Sequence, residues 1–152
     1  MLAALENWYI SGIDVKTAFF CGKLDEELYM EQSEGFKVKG QEYRVFRFMH
    51  TIYGLEQAAL QWWKALDESM AKLGFKHLYL DVGIFAHFNK DGHIDVIAVV
   101  YVDDSTFLGP NKFKVLAAKS TFIKLWECWD LGETKEFLHI HIHWLDGSIT
   151  ID

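Results

Sequence analysis

Ile94-Asp95-Val96-Ile97-Ala98-Val99-Val100-Tyr101-Val102-Asp103-Asp104-Ser105-Thr106-Phe107-Leu108-Gly109 decides how this chain is read. An apolar run, two adjacent carboxylates and a second apolar run predict a β-hairpin whose tight turn displays both aspartates. Aspartate is common in turns, where its side chain bonds the local backbone, and that alone would explain either residue. Two like charges at the tip of an apolar hairpin repel, however. A hard divalent cation such as Mg²⁺, which takes oxygen ligands, would neutralise them.

Working outward, Asp14 is the candidate third carboxylate. It ends an apolar strand running from Trp8-Tyr9-Ile10 to Ile13-Asp14-Val15 and precedes a turn into a short helix. A strand-ending aspartate also caps the turn that follows. If the strand lies beside the hairpin, Asp14 is expected to meet Asp103 at about 5 Å across neighbouring strands. Three such carboxylates suit two Mg²⁺ ions roughly 3.5–4 Å apart, the arrangement that promotes in-line phosphoryl transfer.

The rest of the chain predicts an α+β fold with a largely antiparallel sheet. Leu2-Ala3-Ala4-Leu5 reads as the tail of a helix, and Leu24–Met30 as a turn entering a strand. A hairpin is expected within Gly35–Phe48, around Lys39-Gly40. A helix is expected from about Leu55 to Leu73, with Ala59, Trp62, Trp63, Leu66, Met70 and Leu73 on its apolar face and Gly74 as its stop. A strand near Val82–Phe88 leads through Asn89-Lys90-Asp91-Gly92 into the hairpin. After Pro110-Asn111 comes a second helix, with Phe113, Leu116, Ala117, Ser120 and Ile123 on one face. One strand over Phe137–Trp144, a turn at Asp146-Gly147 and a last strand toward Asp152 complete the reading. On that long strand His139, His141 and His143 would share a face. Their spacing suits either a Zn²⁺ site or an exposed polar face opposite Ile140 and Ile142.

At 152 residues the chain has the size of one domain, and an aromatic share of 16% excludes a disordered segment. Its apolar runs fall short of the roughly 18 residues a membrane helix needs. Cys21 and Cys128 are too few for a disulfide framework and read as free thiols. A net charge of −7 argues by itself against a nucleic-acid-binding protein, because phosphate contacts require cations.

Asp14-Val15-Lys16-Thr17-Ala18-Phe19, Gly22-Lys23-Leu24, Glu27–Gln32, Gly35-Phe36 and Ile52-Tyr53-Gly54-Leu55-Glu56-Gln57-Ala58 form an ordered series of motifs. Trp62, Leu73-Gly74-Phe75, Asp81, Phe85, Tyr101–Asp104, Asp130–Glu133 and Phe137-Leu138 continue it. Together they closely resemble the reverse transcriptase of Ty1/copia-type LTR retrotransposons over essentially the whole chain. The resemblance implies a reverse transcriptase palm with part of the fingers and no thumb, a single domain over residues 1–152 truncated at both ends. It implies an RNA-directed DNA polymerase that adds dNTPs to a primer 3′-hydroxyl on an RNA or DNA template, with two Mg²⁺ ions or with Mn²⁺. Asp14, Asp103 and Asp104 would be its catalytic, metal-binding carboxylates. Phe19 would lie under the nucleotide sugar and exclude a ribose 2′-hydroxyl. Tyr53, Gly54 and Gln57 would contact the incoming nucleotide and template base, Tyr101 would lie near the primer end, and Phe137-Leu138 would hold the primer terminus. An intact element would act in the cytoplasm, in a virus-like particle, with no membrane partner.

The chain departs from the family pattern at Glu56, where a cation is usual, and at Ala59, Leu60, Met49 and His50. His139 replaces a usual glycine in the primer-holding strand. A polypeptide lacking basic fingers strands and thumb would be left acidic, which reconciles the charge with the resemblance. The rival readings are an inactive retrotransposon remnant persisting as a folded or partner-binding domain, and a metal-binding protein built on the histidine strand.

Overall fold

The computed structural model describes residues 1–145 and 148–152; the expected turn at Asp146-Gly147 lies outside them. The described chain divides into two compact units, one of Met1–Thr17 with Leu66–Asp152, the other of Ala18–Ala65.

The larger unit is built on six antiparallel strands: β1 (Tyr9–Val15), β4 (Lys76–Leu78), β5 (Asp81–Phe88), β6 (Ile94–Tyr101), β7 (Asp104–Gly109) and β8 (Cys128–Glu133). Their order across the sheet is β4-β5-β6-β7-β1-β8. The hairpin expected from the opening stretch is β6–β7. The α+β class with an antiparallel sheet is likewise observed.

Helix α3 (Lys112–Leu125) packs on β1, β6 and β7. Asn111 caps it, accepting from the backbone N–H groups of Phe113 and Lys114. Its buried face is Val115, Lys119 and Phe122, not the face expected, and Phe113 is 83% exposed. The apolar count misled here because a lysine lies on the inner face. Phe107 of β7 joins this core, 5.6 Å from Phe122 and 6.4 Å from Phe75 between ring centroids.

Helix α2 (Ala58–Lys72) begins three residues later than expected and is divided between the two units after Ala65. It buries Ala58, Trp62, Leu66 and Met70, four residues apart, whereas Ala59 is exposed. Gly74, at φ +83°, ends it as expected. The Gly74 N–H bonds the Ala71 carbonyl and the Phe75 N–H the Met70 carbonyl, which satisfies the last open carbonyls.

The expected single strand over Phe137–Trp144 is instead a hairpin. β9 (Glu136–Phe137) pairs with β10 (Ile140–Leu145) across Leu138 and His139, both at positive φ. Two such residues make a type I′ turn, which matches the twist of the strands. β11 (Ser148–Ile151) pairs with β10, and Ile149 packs with Ala3, Ile10, Leu108, Ile142 and Trp144. Ala3 belongs to the short helix α1 (Leu2–Leu5).

The smaller unit holds a 3₁₀ turn (Ala18–Phe20) and a two-stranded ribbon of β2 (Tyr29–Glu31) with β3 (Val45–Arg47). The hairpin expected around Lys39-Gly40 does not form. Gln32 organises that connection instead. Its amide donates to the carbonyls of Gln41 and Arg44 and accepts from the Val38 N–H.

Candidate active site

β1 lies between β7 and β8, and its side chains alternate between the sheet faces. Ser11 points toward α3, where it meets Lys119. Ile13 and Val15 share that face and are buried. Asp14 therefore projects from the opposite face. Its partner across the ladder is Asp104, not the Asp103 expected, because the two-residue loop Val102-Asp103 delays the start of β7 to Asp104. Asp103 remains adjacent, since its carbonyl accepts the Val15 N–H at 2.7 Å.

The loop has φ +53° at Val102, its first central residue, the pattern of a type II′ turn. Glycine is the usual occupant. A β-branched residue there is strained by about 1–3 kcal/mol, and such strain concentrates at functional sites. Burial, then the charges of Asp103 and Asp104, hold the Asp14 carboxyl above its ordinary pKa. Three carboxylates thus crowd one end of the β6–β7–β1 sheet, and their repulsion disfavours the ionised form of Asp14.

Among the described residues no set of three or more His, Cys, Asp or Glu side chains is gathered closely enough to hold a metal by itself. The donor set nevertheless fits Mg²⁺, which is usually held by one or two carboxylates together with waters and substrate phosphates. The histidine strand is overturned, because His139 occupies the β9–β10 turn while His141 and His143 lie on β10. His139 and His141 lie 3.6 and 3.9 Å from Glu136, and His143 lies 3.0 Å from Asp152.

Tyr101, the ladder partner of Asp104, is 61% exposed. With Asp104, Glu136, Phe137, Leu138 and His139 it lines a cavity of about 660 Å³. The residues read as carboxylate site and as primer holder therefore share one cavity wall. His139 sits there at φ +64°, a conformation glycine adopts freely.

In the smaller unit Phe19 and Tyr53 meet edge to face, with ring centroids 4.8 Å apart. Gly54 follows at φ +93°. Gln57 donates to Glu26 at 3.0 Å, so its amide is engaged within the unit. Two side chains missed in the sequence support these groups. Thr51, fully buried, donates to the Phe19 carbonyl; Lys119 bridges Ser11 and Asp130. A lysine at helical spacing between Val115 and Phe122 was the available signal for the second.

A family model described as reverse transcriptase (RNA-dependent DNA polymerase) matches residues 1–152. The chain is 36% identical over 142 residues to the retrovirus-related Pol polyprotein from transposon TNT 1-94 of Nicotiana tabacum, covering 93% of this chain and 10% of that protein. It is 32% identical over 140 residues to a transposon Ty5-1 protein of Saccharomyces cerevisiae, covering 91% of this chain and 45% of that one. The Pol polyprotein from transposon RE2 of Arabidopsis thaliana is 34% identical over 108 residues, 71% of this chain and 7% of its own length. The chain thus spans less than half of each of these relatives. No solved structure matches it. The resemblance to Ty1/copia-type reverse transcriptases is borne out by the family match and these relatives.

Proposed function

The chain belongs to the reverse transcriptase (RNA-dependent DNA polymerase) family, and from that premise we propose that it is the palm, with part of the fingers, of a copia-like polymerase that adds dNTPs to a primer 3′-hydroxyl. The observation that carries this is Asp14 facing Asp104 across β1 and β7, with Asp103 in the adjoining turn and the Asp14 carboxyl raised by burial and then by both charges.

Two divalent ions, Mg²⁺ or Mn²⁺, held by Asp14, Asp103 and Asp104 would activate the primer hydroxyl and steady the leaving pyrophosphate. The strained Val102 turn fixes where Asp103 and Asp104 project. Tyr101, Phe137 and Leu138 line the cavity beside Asp104 and would seat the primer terminus there. In the smaller unit the Phe19 ring, backed edge-on by Tyr53, would sit under the sugar and exclude a 2′-hydroxyl. Template–primer and dNTPs are the partners this reading requires.

The second reading, an inactive remnant, is favoured by Glu56 and by His139. Glu56 places an acid where phosphate attraction is needed, and His139 holds a side chain at a left-handed position beside the cavity.

Primer extension on poly(rA)–oligo(dT) at low salt, with Mg²⁺ or Mn²⁺, tests both readings. The isolated chain is expected to incorporate little, because a net charge of −7 opposes duplex binding. Placed within a relative's polyprotein in exchange for the matching segment, it is expected to support incorporation that Asp104→Asn abolishes. Failure of that chimera until Glu56→Lys and His139→Gly are introduced would establish the remnant. Failure even then would refute the polymerase reading.

A further inference from the structure

Lys119 is 3% exposed, and it is the only lysine or arginine among the buried described residues. Its ammonium donates to Ser11 Oγ at 2.7 Å and to Asp130 Oδ1 at 2.6 Å. Both partners then converge on Gly132. The Ser11 hydroxyl donates to the Gly132 carbonyl at 2.7 Å, and the Gly132 N–H donates to the same Asp130 oxygen at 2.7 Å. One buried cation therefore ties α3 to β1 and β8.

The place it ties is irregular. β1 and β8 run in register from Ser11↔Glu133 to Gly12↔Gly132, then shift so that Ile13 faces Asp130, leaving Leu131 as the extra residue. This is a β-bulge, a device that bends a strand and re-aims a side chain, and it is frequent beside active sites. Asp14 is the second residue after the shift, paired with Trp129. Ser11 lies on one side of the bulge and Asp130 on the other, so the Lys119 contacts straddle it. Slippage by one residue would turn a strand's side chains to the opposite face.

We infer that Lys119 is a positioning residue for Asp14: by pinning the β1–β8 bulge from the helix side of the sheet, it keeps the Asp14 carboxylate beside Asp103 and Asp104 on the other side. Lys119 acts on the backbone of β1 and touches neither metal nor substrate. The inference rests on reading the three aspartates as a metal site.

The design of the bridge makes it separable from stability. Methionine matches much of the lysine's volume, and removing one partner of a buried pair is costly chiefly because the other charge is left buried and unpaired. Asp130, whose side chain is 55% exposed, can be hydrated when its partner is lost. Lys119→Met is therefore expected to stay folded, and Ser11→Ala removes one arm of the bridge with a smaller change.

The experiment follows both variants in the 152-residue chain by two readouts. Backbone interstrand NOEs report the β1–β8 register, and water-proton relaxation reports Mn²⁺ binding that Asp14→Asn removes. In folded Lys119→Met the NOEs between Ile13 and Asp130 are expected to weaken or shift, and Mn²⁺ affinity is expected to fall about 10-fold, the usual effect of losing a group that orients a metal ligand. Ser11→Ala is expected to lie between. If Lys119→Met does not fold, Ser11→Ala alone decides. A folded variant with unchanged NOEs and unchanged Mn²⁺ affinity would overturn the inference. Absence of Asp14-dependent Mn²⁺ binding in the parent chain would instead refute the metal reading, while the NOEs would still show whether Lys119 sets the register.

Discussion

The Thr51 side chain, with no exposed surface, donates a hydrogen bond to the Phe19 carbonyl, and its N–H donates to the Gly22 carbonyl at 3.1 Å. A Cβ on Gly22 would fall 2.6 Å from the Thr51 hydroxyl, so the two segments approach as closely as their backbones permit. Thr51 thereby fixes the main chain beneath both Phe19 and Tyr53. Thr51→Val keeps the shape and deletes the donor, which is expected to cost about 1–3 kcal/mol for the buried acceptor left behind. Urea unfolding checks this, and Thr51→Ser, which keeps the hydroxyl, is expected to lose less.

At the β9–β10 turn the expected change is a gain. Leu138 and His139 both hold left-handed backbone conformations, at φ +52° and +64°. Left-handed backbone costs a non-glycine residue about 1–2 kcal/mol. His139→Gly is therefore expected to raise the thermal midpoint, and His139→Val to lower it, since a β-branched residue tolerates that conformation poorly.

The charges at the site give a pH-dependent prediction. The folded Asp14 carboxyl titrates above its ordinary value of 3.8. The cost of its burial as a charge, and of its repulsion by Asp103 and Asp104, is thus absent below that value and grows as pH rises through the folded pKa. Asp14→Asn is expected to be more stable than the parent at pH 7, with the advantage vanishing as pH falls toward 4. Urea midpoints at the two pH values measure it, and an advantage confined to acid would contradict the crowding of Asp14 by Asp103 and Asp104.

Asn111 offers an independent control on the helix that carries Lys119. It accepts from the N–H groups of Phe113 and Lys114, at 2.9 and 3.2 Å. Asn111→Ala is expected to cost about 1 kcal/mol, and Asn111→Asp to preserve the cap. Thermal unfolding followed by circular dichroism checks both. Neither substitution is expected to alter Mn²⁺ binding, which separates general loosening of α3 from loss of the Lys119 bridge.

Much of this architecture was legible because local signals and tertiary demands agreed. The β6–β7 hairpin had two apolar runs and a short polar turn, and the end of α2 had Gly74 followed by Phe75. Where they disagreed, the sequence misled. β8 passed unseen because Trp129 and Leu131 are exposed, so no buried alternation marks it. The β9–β10 turn carries Leu-His instead of Asn-Gly, which made two strands read as one. The α3 face was mistaken because Lys119 satisfies its charge with partners 108 and 11 residues away, a pairing no local window contains. The sequence pointed to a hairpin carrying Asp103 and Asp104 beside the strand of Asp14, but which of the two faces Asp14 depended on a two-residue loop.

The connection between β2 and β3 stores its shape differently. Gln32, 6% exposed, serves three backbone groups with one amide: two carbonyls and one N–H. Glutamate at this position would offer oxygens to carbonyls and match only the N–H. The loop's tolerance of mutation is accordingly uneven. Gly35 and Gly40, at φ +82° and +79°, and Glu42, which accepts from the Gly40 N–H, constrain the loop only locally, whereas a one-atom exchange at Gln32 would cost the connection both carbonyl bonds at once.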